Sequence, residues 1–451
     1  MRGGEREGGS GVSSGEARRV AFASFIGTTI EWYDFFIYGT AAALVFGQLF
    51  FPGFSELAGT LAAFASFAVG FIARPLGGVI FAHFGDRVGR KPMLVWSLMI
   101  MGVATLLMGL LPTYEAIGVW APILLVALRF MQGIGVGGEW GGAALMSVEH
   151  APSGRRGFYG SWPQVGVPTG LLLGTGVFAL VSSLVTDAQF TAWGWRVPFL
   201  LSALLIVVGL FIRLKISESP VFERVMERRE EARMPVLEAL RAYPRTIALA
   251  TGSFIGTHAT FYVATVWMVS YATGQVGYER TTVLGANTLL SASDILFILA
   301  FGALSDLVGR RPLFLAGMAV LALFAFPYLW LVESGAIALF ILGGLVVQAC
   351  RSAVYGPQSA YFSELFGTRV RYSGASLSYQ IASILGGGFA PLICTSLVAW
   401  TGSSDAVAVY IIAVALISFI SSYLLSETYR RDLAGKEAAS AGTVAGRAAE
   451  R

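Results

Sequence analysis

Residues 85–92 read Gly85-Asp86-Arg87-Val88-Gly89-Arg90-Lys91-Pro92, and residues 305–312 read Ser305-Asp306-Leu307-Val308-Gly309-Arg310-Arg311-Pro312. The two octapeptides share Asp, Val, Gly, Arg, a second basic residue and Pro at one constant offset. Each follows a long apolar stretch. The same polar loop at equivalent places in two apolar halves indicates an internal duplication, which is a common architecture among membrane transporters.

Composition places most of the chain in an apolar environment. Of its 451 residues, 55% are hydrophobic and 13% are charged, and its mean hydropathy is +0.69. Soluble domains carry about 25% charged residues, so we expect most of this surface to face lipid or neighbouring helices. The net charge of +4 comes with no basic patch interleaved with aromatics, so no nucleic-acid partner is expected. Cys350 and Cys394 both lie in apolar runs, which predicts buried thiols and no metal site.

Apolar stretches of about 18 residues or more predict membrane-spanning helices. Twelve such stretches lie near residues 20–50, 57–84, 93–111, 121–147, 158–185, 197–214, 245–272, 283–305, 313–332, 336–362, 372–400 and 406–427. No long strand-like alternation appears, which argues against a barrel. The predicted fold is therefore an all-α membrane protein with twelve transmembrane helices in two pseudo-symmetric bundles of six.

Charge between the spans predicts how the chain is oriented. Basic residues collect in the loops on the side of both termini, whereas the opposite loops offer only Arg196 and Arg280. Positive loops face the cytoplasm, so we expect both termini there and the protein in a bacterial cytoplasmic membrane. The predicted parts are a disordered tail (1–19), an amino-terminal bundle (20–214), a charged linker (215–244), a carboxy-terminal bundle (245–427) and a second tail (428–451).

Several motifs together resemble one family. They are the two octapeptides, Glu31-Trp32-Tyr33-Asp34, Arg74-Pro75-Leu76-Gly77-Gly78, Arg129-Phe130-Met131-Gln132-Gly133 continuing to Gly137-Gly138-Glu139, and Trp193-Gly194-Trp195-Arg196-Val197-Pro198-Phe199. In this order they resemble the metabolite:proton symporters of the major facilitator superfamily, which include shikimate, α-ketoglutarate and proline/betaine permeases. The resemblance covers about residues 20–427. It implies the major facilitator fold and a proton gradient as the energy source, with no other cofactor.

Two positions depart from the family's loop pattern. The motif usually opens with Gly four residues before its Asp, and Gly302 fits this, but Ala82 stands there in the first copy. Leu307 replaces the basic residue that follows Asp in the first copy. We therefore expect the second loop to hold its partner more weakly than the first.

Ionisable residues inside the predicted spans are the candidate functional groups, because a charge at the bilayer centre costs at least about 2.5 kcal/mol. Arg74 and Arg351, one from each half, lie near mid-depth at about 1.5 Å of rise per residue. A guanidinium matches the planar fork of a carboxylate, so both are predicted to bind an anionic substrate. The full predicted substrate set is Arg74, Arg351, Tyr38, His258 and Gln164.

A second group of residues is predicted to couple transport to protons. Glu31, Asp34 and Tyr38 follow the i, i+3, i+7 spacing of one helical face. Repulsion between two carboxylates so close favours retention of a proton by one of them. Arg129, Glu139 and Asp294 complete this predicted set.

Structural roles compete with these functional ones. Arg129 with Glu139, and Arg351 with Asp294, could be ion pairs that only lock helices together. We assign Asp34, Arg74 and Arg351 to function because unpaired charge at this depth has no structural benefit. His258 could equally be a hydrogen-bonded core imidazole.

The loop residues and glycines point to movement and packing. Asp86, Arg87, Gly89, Arg90, Asp306 and Arg310 are predicted to form a gating loop, in which the aspartate faces a helix N-terminus or an arginine. Glycines at Gly133, Gly137 and Gly141, and again at Gly166, Gly170 and Gly174, recur every fourth residue and predict close helix contacts.

Function is predicted to be proton-coupled uptake of a small organic anion by a monomer in the lipid bilayer. Gly166-Val167-Pro168-Thr169-Gly170 partly resembles an antiporter signature, so efflux is an alternative, as is symport of a zwitterionic osmolyte. A membrane enzyme would need a nucleophile, metal cluster or phosphate loop, and the sequence shows none. A sensor would need an added soluble domain.

Overall fold

Twelve long helices, α1 to α12, account for nearly all of the described chain. The computed structural model describes residues 14–88, 90–137, 140–149, 151–152, 154–215, 235–367 and 370–429. Both chain ends and most of the predicted linker lie outside these ranges. Residues 14–19, which the sequence assigns to the tail, continue the first helix, because Glu16, Ala17, Arg18 and Arg19 all favour helix.

The amino-terminal half contains α1 to α6. These are α1 (Ser14–Ala41, continued by Ala42–Phe46 and Gly47–Phe50), α2 (Glu56–Val88), α3 (Arg90–Leu110), α4 (Trp120–Val136 and Trp140–Glu149), α5 (Arg156–Leu184) and α6 (Val197–Lys215). The carboxy-terminal half contains α7 (Pro244–Tyr262, continued by Val263–Trp267, Met268–Tyr271 and Ala272–Val276), α8 (Arg280–Val308), α9 (Arg310–Glu333), α10 (Ile337–Leu365), α11 (Arg371–Ala382, Ser383–Gly388 and Ala390–Thr401) and α12 (Asp405–Leu424). A short helix, Pro235–Ala242, precedes α7.

Length and apolarity fit these helices to a bilayer. Within the described ranges, ten are long and apolar enough to cross a membrane, and α3 and α4 contribute the shorter apolar helices Val95–Leu110 and Trp120–Val136. A helix satisfies all its backbone hydrogen bonds internally, which the lipid interior requires. Exposed tryptophans lie at the start of α4, shortly before α6 and near the ends of α9 and α11, as is common at a membrane interface; they are Trp120, Trp193, Trp330 and Trp400.

Packing repeats between the halves. In the first half, α2 and α3 both pack on α4, α3 packs on α6, and α1 packs on α5. The second half repeats this with α8 and α9 on α10, α9 on α12, and α7 on α11. The halves meet where α5 packs along α8 and α10, and where α2 packs on α11. A pseudo-two-fold axis exchanges these contacts, which is the arrangement that the repeated octapeptides predict.

The two faces of the molecule are distinguished by their contacts. At the face where α1 begins and α12 ends, called the termini side below, Gly309 separates α8 from α9 with a φ of 100° that favours glycine. There the Glu427 carboxylate accepts hydrogen bonds from the backbone N–H groups of Arg310 and Arg311, at 3.1 and 2.9 Å. At the opposite face, Arg280 of α8 pairs with Asp187 beyond the end of α5.

Glycines set the closest contacts between helices. A Cβ on Gly386 would lie 2.5 Å from the carbonyl oxygen of Ile255 in α7, and one on Gly388 would lie 3.1 Å from the Phe71 side chain in α2. The glycine-rich segment of α11 therefore lets the two halves approach closely at mid-depth. The stripe at Gly166, Gly170 and Gly174 faces α1 in the same way, as the sequence predicts.

Candidate functional site

A small cavity lies between the two halves at mid-depth. Its free volume is about 10 Å³, close to the space of one water molecule, so little room is left between the halves here. Five helices contribute the wall, α1 and α5 from the first half and α7, α10 and α11 from the second. The lining residues are Trp32, Val167, Thr257, His258, Phe261, Tyr262, Arg351, Tyr355 and Tyr379.

Arg351 is the cation in this wall, and it is paired. Its Nη2 contacts Asp294 of α8, and its Nε donates to Gln348 Oε1 at 2.9 Å. Ser352 donates to the other oxygen of Asp294. The expectation that Arg351 is an unpaired charge is therefore wrong. The reason is depth: Asp294 and Arg351 each follow the first residue of their helix by 14 positions, about 21 Å, and α8 packs on α10.

Aromatic rings surround Arg74 instead. Its guanidinium carbon lies 4.8 Å from the centre of the Trp32 ring, 4.2 Å from that of Phe35 and 4.5 Å from that of Phe71. Each contact is a cation–π interaction. Arg74 is buried, and its Nε and Nη2 have no hydrogen-bond partner. It is not among the residues that line the cavity, although its neighbour Trp32 is.

Arg129 shares one of those rings. Its guanidinium carbon lies 3.9 Å from the centre of Phe35 and 4.3 Å from that of Tyr38. Its Nη1 donates to Gln132 Oε1, and Gln132 Nε2 donates to Thr105 at 2.7 Å and to the backbone carbonyl of Asp34 at 2.9 Å. Gln132 therefore links Arg129 to the backbone of Asp34. Glu139, the alternative partner that the sequence suggests for Arg129, lies outside the described residues.

Asp34 is fully buried and faces α6. Its Oδ1 accepts a hydrogen bond from Ser202 at 2.5 Å, while its Oδ2 has no partner. Tyr38 turns toward α2 and its hydroxyl lies 2.7 Å from that of Ser66. The face that the sequence assigns to Glu31, Asp34 and Tyr38 is thus divided between neighbouring helices, although Glu31 is also buried.

Of the remaining predicted substrate residues, His258 lies in the cavity wall and Gln164 does not. His258 lines the cavity, its Nδ1 has no partner, and its ring centre lies 5.0 Å from that of Tyr379. Gln164 is also buried but lies outside the cavity wall. It donates to Gln358 Oε1 at 2.7 Å and accepts from Trp140 Nε1 at 3.0 Å.

The second octapeptide makes the contact that the gating-loop hypothesis describes. Asp306 accepts hydrogen bonds from the backbone N–H groups of Gly157 and Phe158, at 2.8 and 2.9 Å. Arg310 donates to the same carboxylate at 2.8 Å. The carboxylate thus lies at the N-terminus of α5, where the helix dipole favours negative charge. Gly89 and the side chains of Asp86, Arg87 and Arg90 lie outside the described part of the molecule.

Sequence reasoning missed most of the cavity wall. Trp32 lies inside a quoted motif, but Thr257, Tyr262, Tyr355 and Tyr379 stand in apolar runs without a local signal. Gln132 belongs to the Arg129 motif. Its contacts could not be predicted from its position in that motif, because they depend on which helices lie beside it in the fold. Hydroxyl and aromatic residues are common in membrane cores, so the sequence alone could not separate these from packing residues.

Two pseudo-symmetric bundles of six helices around a central, mainly aromatic cavity with one arginine in its wall are the architecture of a membrane transporter. Comparison with known proteins identifies the family. The chain matches the sugar (and other) transporter family over residues 20–246 and 236–434, and it belongs to this family within the major facilitator superfamily. The resemblance to the metabolite:proton symporters is confirmed, and the family consists of transporters, not enzymes.

Relatives include a shikimate transporter of Escherichia coli strain K12, 44% identical over 93% of this chain and 97% of the relative. An inner membrane metabolite transport protein of the same strain is 43% identical over 92% of this chain and 95% of the relative. The proline/betaine transporter of that strain is 34% identical over 94% of this chain and 86% of the relative. Among solved structures, the proton:xylose symporter XylE shares the fold, with a TM-score of 0.73 and 17% identity over 94% of this chain and 99% of that one.

Proposed function

We propose that the protein imports a small organic anion together with protons by alternating access. The observation that carries this proposal is Arg351, a guanidinium in the wall of a cavity between the two halves. A substrate carboxylate that replaced Asp294 as the partner of Arg351 would keep the guanidinium paired, and Asp294 would take up a proton so that no buried charge is left alone. The bidentate fork of arginine suits such an exchange. The shikimate transporter among the relatives carries a name consistent with a carboxylate cargo.

Asp34 is the proposed proton carrier. It is a buried carboxyl without a cation bonded to it, and one of its oxygens has no partner. Arg129 lies on α4, and Gln132 of the same helix links it by hydrogen bonds to the backbone carbonyl of Asp34. A change in the packing of α1 on α4 would alter the distance between Arg129 and the Asp34 carboxylate, and a nearby cation favours the ionised form. The proton gradient supplies the energy in this proposal.

A zwitterionic substrate is the second candidate. The Arg351–Asp294 pair offers both a cation and an anion to the region of the cavity, and the aromatic wall suits a methylated ammonium group. The proline/betaine transporter among the relatives is consistent with this. Uptake of labelled carboxylates and betaines into right-side-out membrane vesicles, with and without an imposed proton gradient, distinguishes the two. Gradient-dependent accumulation of a carboxylate is expected; accumulation of betaine alone would favour the zwitterion.

Orientation and assembly follow from the same proposal. The proposed orientation has the termini side in the cytoplasm of a bacterial cell. It is supported by the positive-inside rule, because basic residues such as Arg155, Arg156, Arg310 and Arg311 lie on that side. One chain encloses the whole cavity, so a monomer is the proposed working unit.

A further inference from the structure

Two neighbouring residues of α1 are hydrogen-bonded to α6. The Ser202 hydroxyl donates to Asp34 Oδ1 at 2.5 Å. One helical turn earlier on α6, the backbone carbonyl of Pro198 accepts a hydrogen bond from the Tyr33 hydroxyl at 2.8 Å. Positions four apart lie on one face of a helix, and both contacts are buried. The helix α6 therefore fixes the direction in which the Asp34 carboxylate points.

The two oxygens of the Asp34 carboxylate have different surroundings. Oδ1 is bonded to Ser202, whereas Oδ2 has no hydrogen-bond partner among the described residues. Oδ2 faces α3, because a Cβ on Gly102 would lie 3.7 Å from it and 2.3 Å from Cγ1 of Ile206. A proton on Oδ2 would break no hydrogen bond, whereas a proton on Oδ1 would compete with the Ser202 donor.

The other polar side chains near this carboxylate are engaged elsewhere. The Thr105 hydroxyl of α3 donates to a backbone carbonyl of its own helix at 2.9 Å and accepts a hydrogen bond from Gln132. Arg129 of α4 donates to Gln132, which bonds the backbone carbonyl of Asp34 and not its carboxylate. Within the described part of the chain, Ser202 is therefore the hydrogen-bond donor to this carboxylate.

The titratable groups around this carboxylate can be named helix by helix. On α1 they are Glu31, Tyr33 and Tyr38, and the hydroxyls of the two tyrosines are bonded to α6 and α2, respectively. On the helices that pack against α1, the charged side chains described at this depth are Arg74 of α2 and Arg129 of α4. As far as their residues are described, α3, α5 and α6 carry charge only near their ends.

We propose that Ser202 is a positioning residue for the proton carrier, and that it holds Oδ1 of Asp34 so that the transported proton binds and leaves at Oδ2. This inference rests on the proposed role of Asp34. A hydrogen bond donated to a carboxyl group stabilises its ionised form more than its protonated form. Ser202 therefore helps a carboxyl group that is buried away from water to release its proton again.

Infrared spectroscopy of the purified protein in lipid tests this proposal without any solute. The C=O stretching band of the protonated carboxyl is identified as the band that Asp34→Asn removes, and its intensity is followed as the pH is raised. With the proton on Oδ2, the carbonyl oxygen is Oδ1. In Ser202→Ala that oxygen loses its donor, so the band should move to higher wavenumber. The midpoint of its titration should move about one unit toward alkaline pH.

Ser202→Thr keeps a hydroxyl at this position and should keep the wild-type band and midpoint. Ser182→Ala is the matched control, since Ser182 is buried on α5 and its hydroxyl has no hydrogen-bond partner among the described residues. It should change neither quantity. These spectra report on one carboxyl group, so a general loss of stability does not imitate the expected result.

An unmoved band in Ser202→Ala would show that the proton lies on Oδ1, and an unmoved midpoint would show that Ser202 does not assist proton release. Either result overturns the positioning role and leaves Asp34 as a candidate carrier. If Asp34→Asn removes no band at any pH, Asp34 does not take up a proton, and the proposed carrier and the positioning role fail together.

Discussion

At the scale of single residues, the buried arginines differ in what neutralises them. Arg351 has a carboxylate partner, Asp294, and a second bond to Gln348. Arg74 and Arg129 both lie against one ring, that of Phe35, and each keeps nitrogens without a hydrogen-bond partner. Aromatic faces compensate only part of the cost of a buried cation. These two residues therefore retain capacity to pair with an anion in another conformation.

Removing Arg351 and Asp294 separately and together tests whether their pair is structural. Arg351→Ala leaves the Asp294 carboxylate buried without its cation, which should cost several kcal/mol if no proton is taken up. We expect Arg351→Lys to weaken transport markedly with normal expression, because lysine offers a point charge and no fork. Arg351→Ala should weaken it more. Vesicle uptake and thermal stability in detergent are the measurements.

The double variant Arg351→Ala with Asp294→Ala leaves neither orphan charge. It should regain thermal stability and remain inactive. Recovery of transport together with stability would show that the pair only locks α8 to α10, and that the anion binds elsewhere.

Sequence reasoning at this scale located the charges but not their partners. Depth along a helix follows from counting residues, which is why the sequence predicts that Arg74 and Arg351 both lie near mid-depth. The direction in which a side chain points depends on helix rotation, which the apolar pattern of these helices barely defines. Asp34 and Tyr38 therefore face different neighbours despite their helical spacing.

At the scale of helices, small residues decide how closely neighbours pack. Gly170 of α5 lies against α1, and a Cβ there would be 2.6 Å from the backbone nitrogen of Tyr33 and 2.8 Å from the carbonyl oxygen of Thr29. Backbone atoms cannot move aside without shifting a helix. Periodic glycines were visible in the sequence, and their contacts follow from that period. The glycine-rich turn of α11 has no such period, so its contact with α2 was not predictable.

Replacing Gly170 by Ala should destabilise the amino-terminal half by about 1–3 kcal/mol, as other overpacked sites do. Gly285 of α8 is the matched control, because nothing lies within 4 Å of the position that its Cβ would take. Gly285→Ala should be neutral or slightly stabilising. Thermal unfolding of the purified protein in detergent measures both. Equal stability of the two variants would contradict the close packing of α5 on α1.

At the scale of the whole molecule, the number of membrane spans and the repeat of the two halves could both be predicted from the sequence. An even number of spans and an octapeptide that recurs at equivalent places are compatible with few helix topologies. The contacts between the halves near the cavity could not be predicted from the sequence. They include the stack of Trp140 on Tyr379, two residues that are 239 positions apart in the chain.

Topology is tested by thiol accessibility. Cysteines introduced at Ser55, Tyr114 or Ser334, all at the face opposite the termini side, should react with impermeant reagents added outside intact cells. A cysteine at the exposed position Arg155 should react only after the cells are opened. The reverse pattern would place the termini outside and invert the proposed direction of transport.

Coupling of solute movement to protons is the central claim, and it depends on Asp34. An amide at this position keeps the size of the side chain but cannot carry a proton.

The most direct measurement reconstitutes wild type and Asp34→Asn in liposomes and compares accumulation driven by a proton gradient with exchange of labelled solute at equilibrium, using the carboxylate that wild type accumulates best. The account predicts that Asp34→Asn loses accumulation and keeps part of the exchange. Gradient-driven accumulation by Asp34→Asn at the wild-type level would contradict it.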